Sequence, residues 1–358
     1  MGTFILRRLV LSVPVLIGIL AVTFALARLV PGDPCRAMLG EKANQQVCAA
    51  FIERIGLNKP LPEQFVIYVN SFLHGDLGDS IRFGRPVTTL LVERLPVTLE
   101  LAVCALAFAT IVGVPLGILS AYRRNSAVDV GTMIVANMGV SMPVFWLGLM
   151  LAFLFSVLLK DSILALPPSG RLTPGADYPA FYQSWHLATS EDTASGLMVF
   201  LARLNFLNAL LTLNTQLFFD SLRHMILPAV AVGTIPLSII ARITRSSVLE
   251  VLNQDYVRTA RAKGLKELTV VLQHAVRNAL LPVVTIIGLN FGALVAGAVL
   301  TETIFGFAGI GKMLFDGITA RDYSLVQGVT MVTAVAFLVI NLIVDLLYGF
   351  LDPRIRVS

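Results

Sequence analysis

Hydrophobic residues along the chain fall into long blocks, without the strict alternation of a half-buried strand. Six stretches are almost free of charge: 9–30, 97–121, 131–159, 225–241, 279–301 and 324–347. A hydrocarbon core of about 30 Å takes roughly 20 apolar residues per helix, so each block is a candidate span. The pattern predicts an all-α integral membrane protein with six transmembrane helices. Arg7 and Arg8 precede the first block as they would in a signal peptide. That block is too long for a signal core, however, and Ala27-Arg28-Leu29 makes no small-residue cleavage site, so it reads as an uncleaved first helix.

A seventh apolar stretch, 204–219, is shorter and carries Asn205, Asn208, Asn214 and Gln216. Charge decides its placement. If 204–219 does not cross, the segments on the N-terminal side are 1–8, 122–130, 242–278 and 348–358, and they are dense in Lys and Arg; the other side spreads a similar number over more than twice the length. Cytoplasmic loops carry the basic excess, so both termini and the loop 242–278 are expected inside. The stretch 204–219 is then a helix lying on or against the outer face.

The expected organisation follows. Residues 1–30 hold the cytoplasmic N-terminus and first span, 31–96 a first extracytoplasmic segment, and 97–159 the second and third spans. A second extracytoplasmic segment occupies 160–224, and 225–348 carry spans four to six around the loop 242–278. A cytoplasmic tail, 349–358, closes the chain. Pro31-Gly-Asp-Pro34 breaks the first helix at the interface, and Pro167, Pro168, Pro174 and Pro179 make the start of the second outer segment loop-like. No internal repeat or low-complexity tract is visible.

Composition supports this reading: 358 residues, 56% hydrophobic and only 14% charged, with a mean hydropathy of +0.81, exclude a water-soluble chain. The net charge of +5 would suggest nucleic acid in a soluble protein; here it is the distribution of charge that carries information, and no nucleic-acid partner is expected.

Catalytic chemistry finds little support. Gly306-Phe-Ala-Gly-Ile-Gly311-Lys312-Met313 nearly matches a phosphate-binding loop, but Met313 stands where a magnesium-binding hydroxyl is needed and no β-α-β unit surrounds it. It reads as a glycine-rich turn. His74, His186, His224 and His274 are scattered, and no C-x-x-C occurs, so no metal site is expected. Arg28, Glu100 and Asp345 are the ionisable residues nearest the spans, and all lie toward span ends, where snorkelling explains them. Cys104 sits within the second span as a small hydrophobe. Cys35 and Cys48 share the first outer segment and could form a disulfide there, with two free thiols as the alternative.

The basic loop holds the most informative pattern. Val248, Leu252 and Tyr256 recur at four-residue spacing, and Gly264 is a natural helix stop after Arg261 and Lys263. A second amphipathic run places Leu268, Val271, Leu272, Ala275 and Ala279 on one side and ends at Pro282. Two short helices joined by a glycine make a protruding element. A loop serving only topology would not need this amphipathic design, whereas a docking site for a cytoplasmic partner would.

At these residues the sequence resembles the permease subunits of binding-protein-dependent ABC importers in the dipeptide, oligopeptide and nickel family, most closely the first permease of dipeptide systems. Asp255-Tyr-Val-Arg-Thr-Ala-Arg-Ala-Lys-Gly264-Leu265 followed by His274-Ala-Val-Arg-Asn-Ala-Leu-Leu-Pro282 is similar to the family's EAA loop. Gly264 matches the family glycine, and Arg258-Thr259-Ala260 stand at the EAA position. Pro31-Gly-Asp-Pro34, Gly75-Asp-Leu-Gly78 with Ser80, Thr301-Glu-Thr-Ile-Phe305, Arg321-Asp-Tyr323 and Asp352-Pro-Arg-Ile-Arg356 match as well. The region 167–220 shows no such matches. The resemblance implies a multi-pass protein of the bacterial inner membrane, non-catalytic itself. Its implied partners are a homologous second permease, two cytoplasmic ATPase subunits that hold ATP and magnesium, an extracytoplasmic solute-binding protein, membrane lipid, and a peptide in transit. Asp255, Tyr256, Arg258, Thr259, Ala260, Arg261, Ala262, Lys263, Gly264 and Leu265 would couple the permease to the ATPases. A nickel complex, glutathione or haem is the alternative cargo. An ion-coupled secondary transporter would need ionisable residues at mid-span, and an intramembrane enzyme a nucleophile or metal set; neither is present in the sequence.

Overall fold

The computed structural model describes residues 2–29, 44, 46, 48, 53 and 58–351. Helix α1 (Gly2–Leu29) is followed by α2 (Leu61–Leu73) and a two-residue antiparallel ladder, β1 (Asp79–Ser80) against β2 (Arg85–Pro86), with Ser80 opposite Arg85. That ladder is the one departure from an all-helical fold among the described residues. Next come α3 (Val87–Tyr122), α4 (Ala127–Ser141), and α5 (Val144–Phe153), which ends in a π turn, Leu154–Leu158. The short helices α6 (Phe181–Ser184), α7 (Gly196–Ala202) and α8 (Asn205–Thr212) precede α9 (Thr215–Leu252). Then follow α10 (Asp255–Ala262), α11 (Glu267–Thr269), a π turn (Val270–Val276) and α12 (Arg277–Gly297). The chain closes with α13 (Val299–Ile304), α14 (Ile310–Thr319) and α15 (Tyr323–Leu351).

Among the described residues five helices are long and apolar enough to cross a membrane, and α4 with α5, bent by 102°, pass the same test as a pair. The expected uninterrupted span 131–159 is therefore corrected to a broken one. Pro143 cannot donate to the helical ladder and disfavours helical geometry at its predecessor, so Met142 is extended at φ −105° and ψ 134°. The pair still carries the chain between opposite ends of the bundle. Thr98 and Ser120 lie 22 residues apart on α3, about 33 Å at 1.5 Å per residue. Asp129, at the start of α4, accepts the Ser120 hydroxyl, whereas Gly170, past the end of α5, donates to Phe305 C=O at 2.8 Å, close in sequence to Glu302, which accepts from Thr98.

The stretch 204–219 does not form one helix lying on a face. Leu213 adopts a left-handed φ of 52° and ends α8, and the Asn214 side chain caps the next helix by accepting from Leu217 N–H at 3.0 Å. Residues 215–219 are thus the first turns of α9. Helices α3 and α9, 36 and 38 residues long, reach roughly 54 and 57 Å, well beyond a hydrocarbon core of about 30 Å. Sequence apolarity therefore marked only the C-terminal two-thirds of α3 and the middle of α9. They pack backbone to backbone: a Cβ on Gly117 would lie 2.5 Å from Ala241 O, and one on Gly233 would lie 2.7 Å from Ala105 O. Small residues permit this approach, and dispersion along the seam substitutes for a hydrophobic drive that lipid cannot supply.

The two ends are tied differently. At one end Arg245 grips Asp129 with two bonds of 2.8 Å, joining α9 to α4. At the other, buried Glu100 accepts from Arg171 and from Phe206 N–H at 2.8 Å, tying the segment after α5 to α3. Glu100 lies 13 residues into α3 and is fully enclosed, so snorkelling does not describe it; an ion pair does. Asp345 pairs with Arg8 at 3.0 Å. The Arg28 side chain, Pro31-Gly-Asp-Pro34 with Cys35, and the stretch Asp352-Pro-Arg-Ile-Arg356 lie outside the described residues.

Candidate functional site

Helix α9 stops at Leu252, and the chain turns through Asn253 and Gln254 before α10 begins at Asp255. The expected face Val248–Leu252–Tyr256 is broken by that turn. Val248 is buried, Leu252 is half-buried, and Tyr256 belongs to a different helix and is exposed. Helix α10 is held by Val257 and Ala260, 0% and 6% exposed, which pack with Val270 against Val251 and Leu252. Ala260, expected on the partner-facing surface, thus faces the protein itself. Asp255 in the first turn and Arg261 in the last suit the helix dipole.

Gly264 follows α10 with φ +78°. Its N–H donates to Arg261 C=O at 2.9 Å, closing the helix in the left-handed geometry the sequence predicted. Across the glycine, Arg261 clamps Glu267 through Nε at 3.0 Å and Nη2 at 2.7 Å. That charge-assisted bond raises the Arg261 pKa above its ordinary value. Tyr256 Oη accepts from Asn278 Nδ2 at 2.7 Å, so α10 is fastened to the root of α12 as well.

The second amphipathic run divides into two faces. Val271, Ala275 and Ala279 are buried, with Val271 and Ala279 packing on Val248 and Ala121, while Leu268 and Leu272 are 55% and 48% exposed. Nor does the run end at Pro282, which lies inside α12. The result is a knob built at the junction of two long helices. Its inner face of Val257, Ala260 and Val270 anchors it, and its outer face presents Tyr256, Arg258, Lys263, Leu265, Leu268 and Leu272. Thr259 and Ala262 are exposed beside them. Such a surface offers apolar contacts ringed by cations and no nucleophile. Among the described residues no three His, Cys, Asp or Glu side chains converge on a point that could hold a metal.

The opposite end explains several other matched segments. Asp322 is completely buried and accepts from Ser80 Oγ at 2.6 Å, Arg82 N–H at 3.0 Å and Leu325 N–H at 3.1 Å. The segments 75–80 and 321–323 are thereby pinned together across 240 residues. Glu302, also buried, accepts from Thr98 Oγ1 at 2.5 Å and from Lys312 N–H at 2.8 Å, while Thr98 Oγ1 accepts from Ile310 N–H at 2.9 Å. The segment 306–312 is the glycine-rich turn the sequence predicted, and it wraps the chain's own Glu302 side chain. A Cβ on Gly309 would sit 2.5 Å from that carboxylate. Glu302 and Asp322 fall within the matched segments 301–305 and 321–323, but no role for either side chain was legible in the sequence. Cys48 is disulfide-bonded and Cys104 is a free thiol; Cys35 lies outside the described residues.

Comparison with known proteins places this geometry. Residues 113–357 match the family described as the inner membrane component of binding-protein-dependent transport systems, and residues 1–102 match the N-terminal part of such membrane components. The chain is 45% identical over 360 residues to the dipeptide transport system permease protein of Escherichia coli K12, covering 99% of this chain and 98% of the relative. It is 45% identical over 357 residues to the di/tripeptide transport system permease protein of Pseudomonas aeruginosa UCBPP-PA14, covering 99% of each. To the oligopeptide transport system permease protein of Bacillus subtilis 168 it is 38% identical over 358 residues, covering 99% of this chain and 100% of the relative.

Proposed function

Given that this chain belongs to the binding-protein-dependent transport system inner membrane components, we propose that it is a permease subunit of an ATP-driven importer of dipeptides and other short peptides. It is not itself an enzyme. The family implies a second permease, ATPases and a solute-binding protein as partners; two cytoplasmic ATPase subunits and a homologous second permease are our specific reading. Both termini and the knob 253–278 face the cytoplasm, a sidedness supported by the concentration of Lys and Arg in 242–278. The two outer segments 31–96 and 160–224 then face the binding protein.

The observation that carries the coupling role is the two-faced knob. Its inner face is packed onto α9 and the root of α12, while Leu265, Leu268 and Leu272 remain open to solvent. Closure of the ATPases around ATP would push the 255–265 segment, and the Arg261 bond to Leu252 C=O and the Tyr256–Asn278 bond pass that displacement to α9 and α12 at once. Each helix reaches the opposite end of the bundle, so a push at one end biases the gate at the other. Leu268→Asp and Leu272→Asp should leave expression and insertion intact and abolish ATPase co-purification and peptide uptake. Ala260→Asp should instead melt the knob, because it buries a charge among Val257, Val270 and Leu252. Normal ATPase binding and normal uptake in both leucine variants would overturn the docking role. Peptide cargo is tested separately, by binding of a peptide panel to the cognate solute-binding protein.

A further inference from the structure

Helix α1 rests mainly on α15, and Leu6, Val10, Leu11, Val13 and Val15 along its length are exposed. Beside this contact lies a cleft of about 450 Å³, lined by Arg7, Arg8, Leu11, Ser12, Val15 and Leu338. Its polarity is graded. Arg8 pairs with Asp345 at 3.0 Å, which answers one of the two cations at the mouth, whereas Arg7 is exposed and has no ion pair among the described residues. Ser12 spends its hydroxyl on Arg8 C=O at 2.8 Å. Val15 lies seven residues beyond Arg8, and Leu338 seven residues before Asp345, so both antiparallel helices place the apolar floor about 10 Å from the charged mouth. No charge follows on either helix toward the middle of the span.

A ligand matching this gradient carries an anion at one end and a hydrocarbon chain at the other. A free anion would leave the floor of Leu11, Val15 and Leu338 wetted, and an uncharged alkyl chain would leave Arg7 unanswered. We propose that the cleft binds one anionic phospholipid, with its headgroup phosphate on the Arg7 guanidinium and the start of an acyl chain on Leu11, Val15 and Leu338. Among the described residues lining the mouth, Arg7 is the cation left without an ion pair, which disfavours a zwitterionic headgroup, whose amine would meet Arg7 and Arg8. Resting on the sidedness proposed above, this lipid belongs to the inner leaflet. Bound there, it touches both α1 and α15, through Arg7, Leu11 and Val15 on one side and Leu338 on the other.

The test is native mass spectrometry of the detergent-purified transporter, with all its subunits, titrated with phosphatidylglycerol or with phosphatidylcholine of the same chains. One tightly held phosphatidylglycerol is expected, preferred over phosphatidylcholine by about fivefold, the worth of one near-surface cation. Arg7→Gln should erase the preference, Arg7→Lys should keep most of it, and Val15→Trp, which fills the floor, should weaken both lipids. Equal phosphatidylglycerol binding by the wild type and Arg7→Gln would overturn the proposal. So would equal competition by the deacylated headgroup glycerophosphoglycerol, which would make this an anion site only, or release of the second permease by Arg7→Gln with lipid binding unchanged. Binding in detergent does not depend on sidedness. An absence of peptide-stimulated ATP hydrolysis in lipid-bound complex would count against the transporter reading alone.

Discussion

Gly264 separates a backbone requirement from a partner requirement. It sits at φ +78°, and a Cβ built there meets no atom of the chain within 4 Å. A Cβ is therefore accommodated within this subunit, and the cost of a small substitution comes from the left-handed conformation. That cost is about 1 to 2 kcal/mol for Ala, less for Asn, whose short amide tolerates the region, and up to about 3 kcal/mol for β-branched Val. About 1.4 kcal/mol is a tenfold change in an equilibrium constant, so Gly264→Ala should lower the equilibrium constant for ordering the knob by roughly tenfold and Gly264→Val by a further factor of similar size. Hydrogen exchange across 255–278 in the purified complex reads the ordering directly, and ATPase co-purification with peptide-stimulated hydrolysis reads its consequence. The expected order of loss is Asn, then Ala, then Val, with exchange and activity falling together. If all three variants lost ATPase binding equally while exchange stayed at the wild-type level, the backbone explanation would be refuted. The glycine would then be required because a partner packs against it.

Asp322→Ala should destabilise the end of the bundle holding the ladder by about 3 to 5 kcal/mol, since it strands two backbone N–H groups and the Ser80 hydroxyl in a fully buried site; limited proteolysis within 58–86 and thermal unfolding measure it, and a loss below about 1 kcal/mol would contradict the pin. Gly309→Ala should have a similar phenotype by pushing the Glu302 carboxylate off Thr98 and Lys312, and Thr98→Val should show the same defect more weakly. A Cys35–Cys48 bond would close a loop of about 14 residues worth roughly 3 kcal/mol; non-reducing mass spectrometry after alkylation before lysis should find the linked peptide, and two alkylated thiols would remove the claim. For sidedness, Asp192→Cys and Leu213→Cys, both exposed, should react with an impermeant reagent in intact cells and Lys263→Cys only after permeabilisation.

The sequence by itself determined the membrane class, the all-helical architecture and the place of the knob. Each of these rests on local chemistry: runs of apolar residues long enough for a bilayer, basic residues gathered in 242–278, and a glycine after a short amphipathic helix. What periodicity could not reveal is where helices end once they leave the membrane, because polar turns of α3 and α9 are stabilised by neighbours rather than by lipid. The bend at Met142-Pro143 was hidden within an unbroken apolar run, although the proline that causes it was in view. The inward turn of Ala260, and the division of Val271 and Ala275 from Leu268 and Leu272, depend on which side the body of α9 occupies, and no single helix contains that information. Most plainly tertiary are the pins. Ser80 meets Asp322, Thr98 meets Glu302 and Asp129 meets Arg245 across separations of 242, 204 and 116 residues. A buried carboxylate is tolerable only where such distant donors converge on it, so its role becomes legible only when the fold has brought them together.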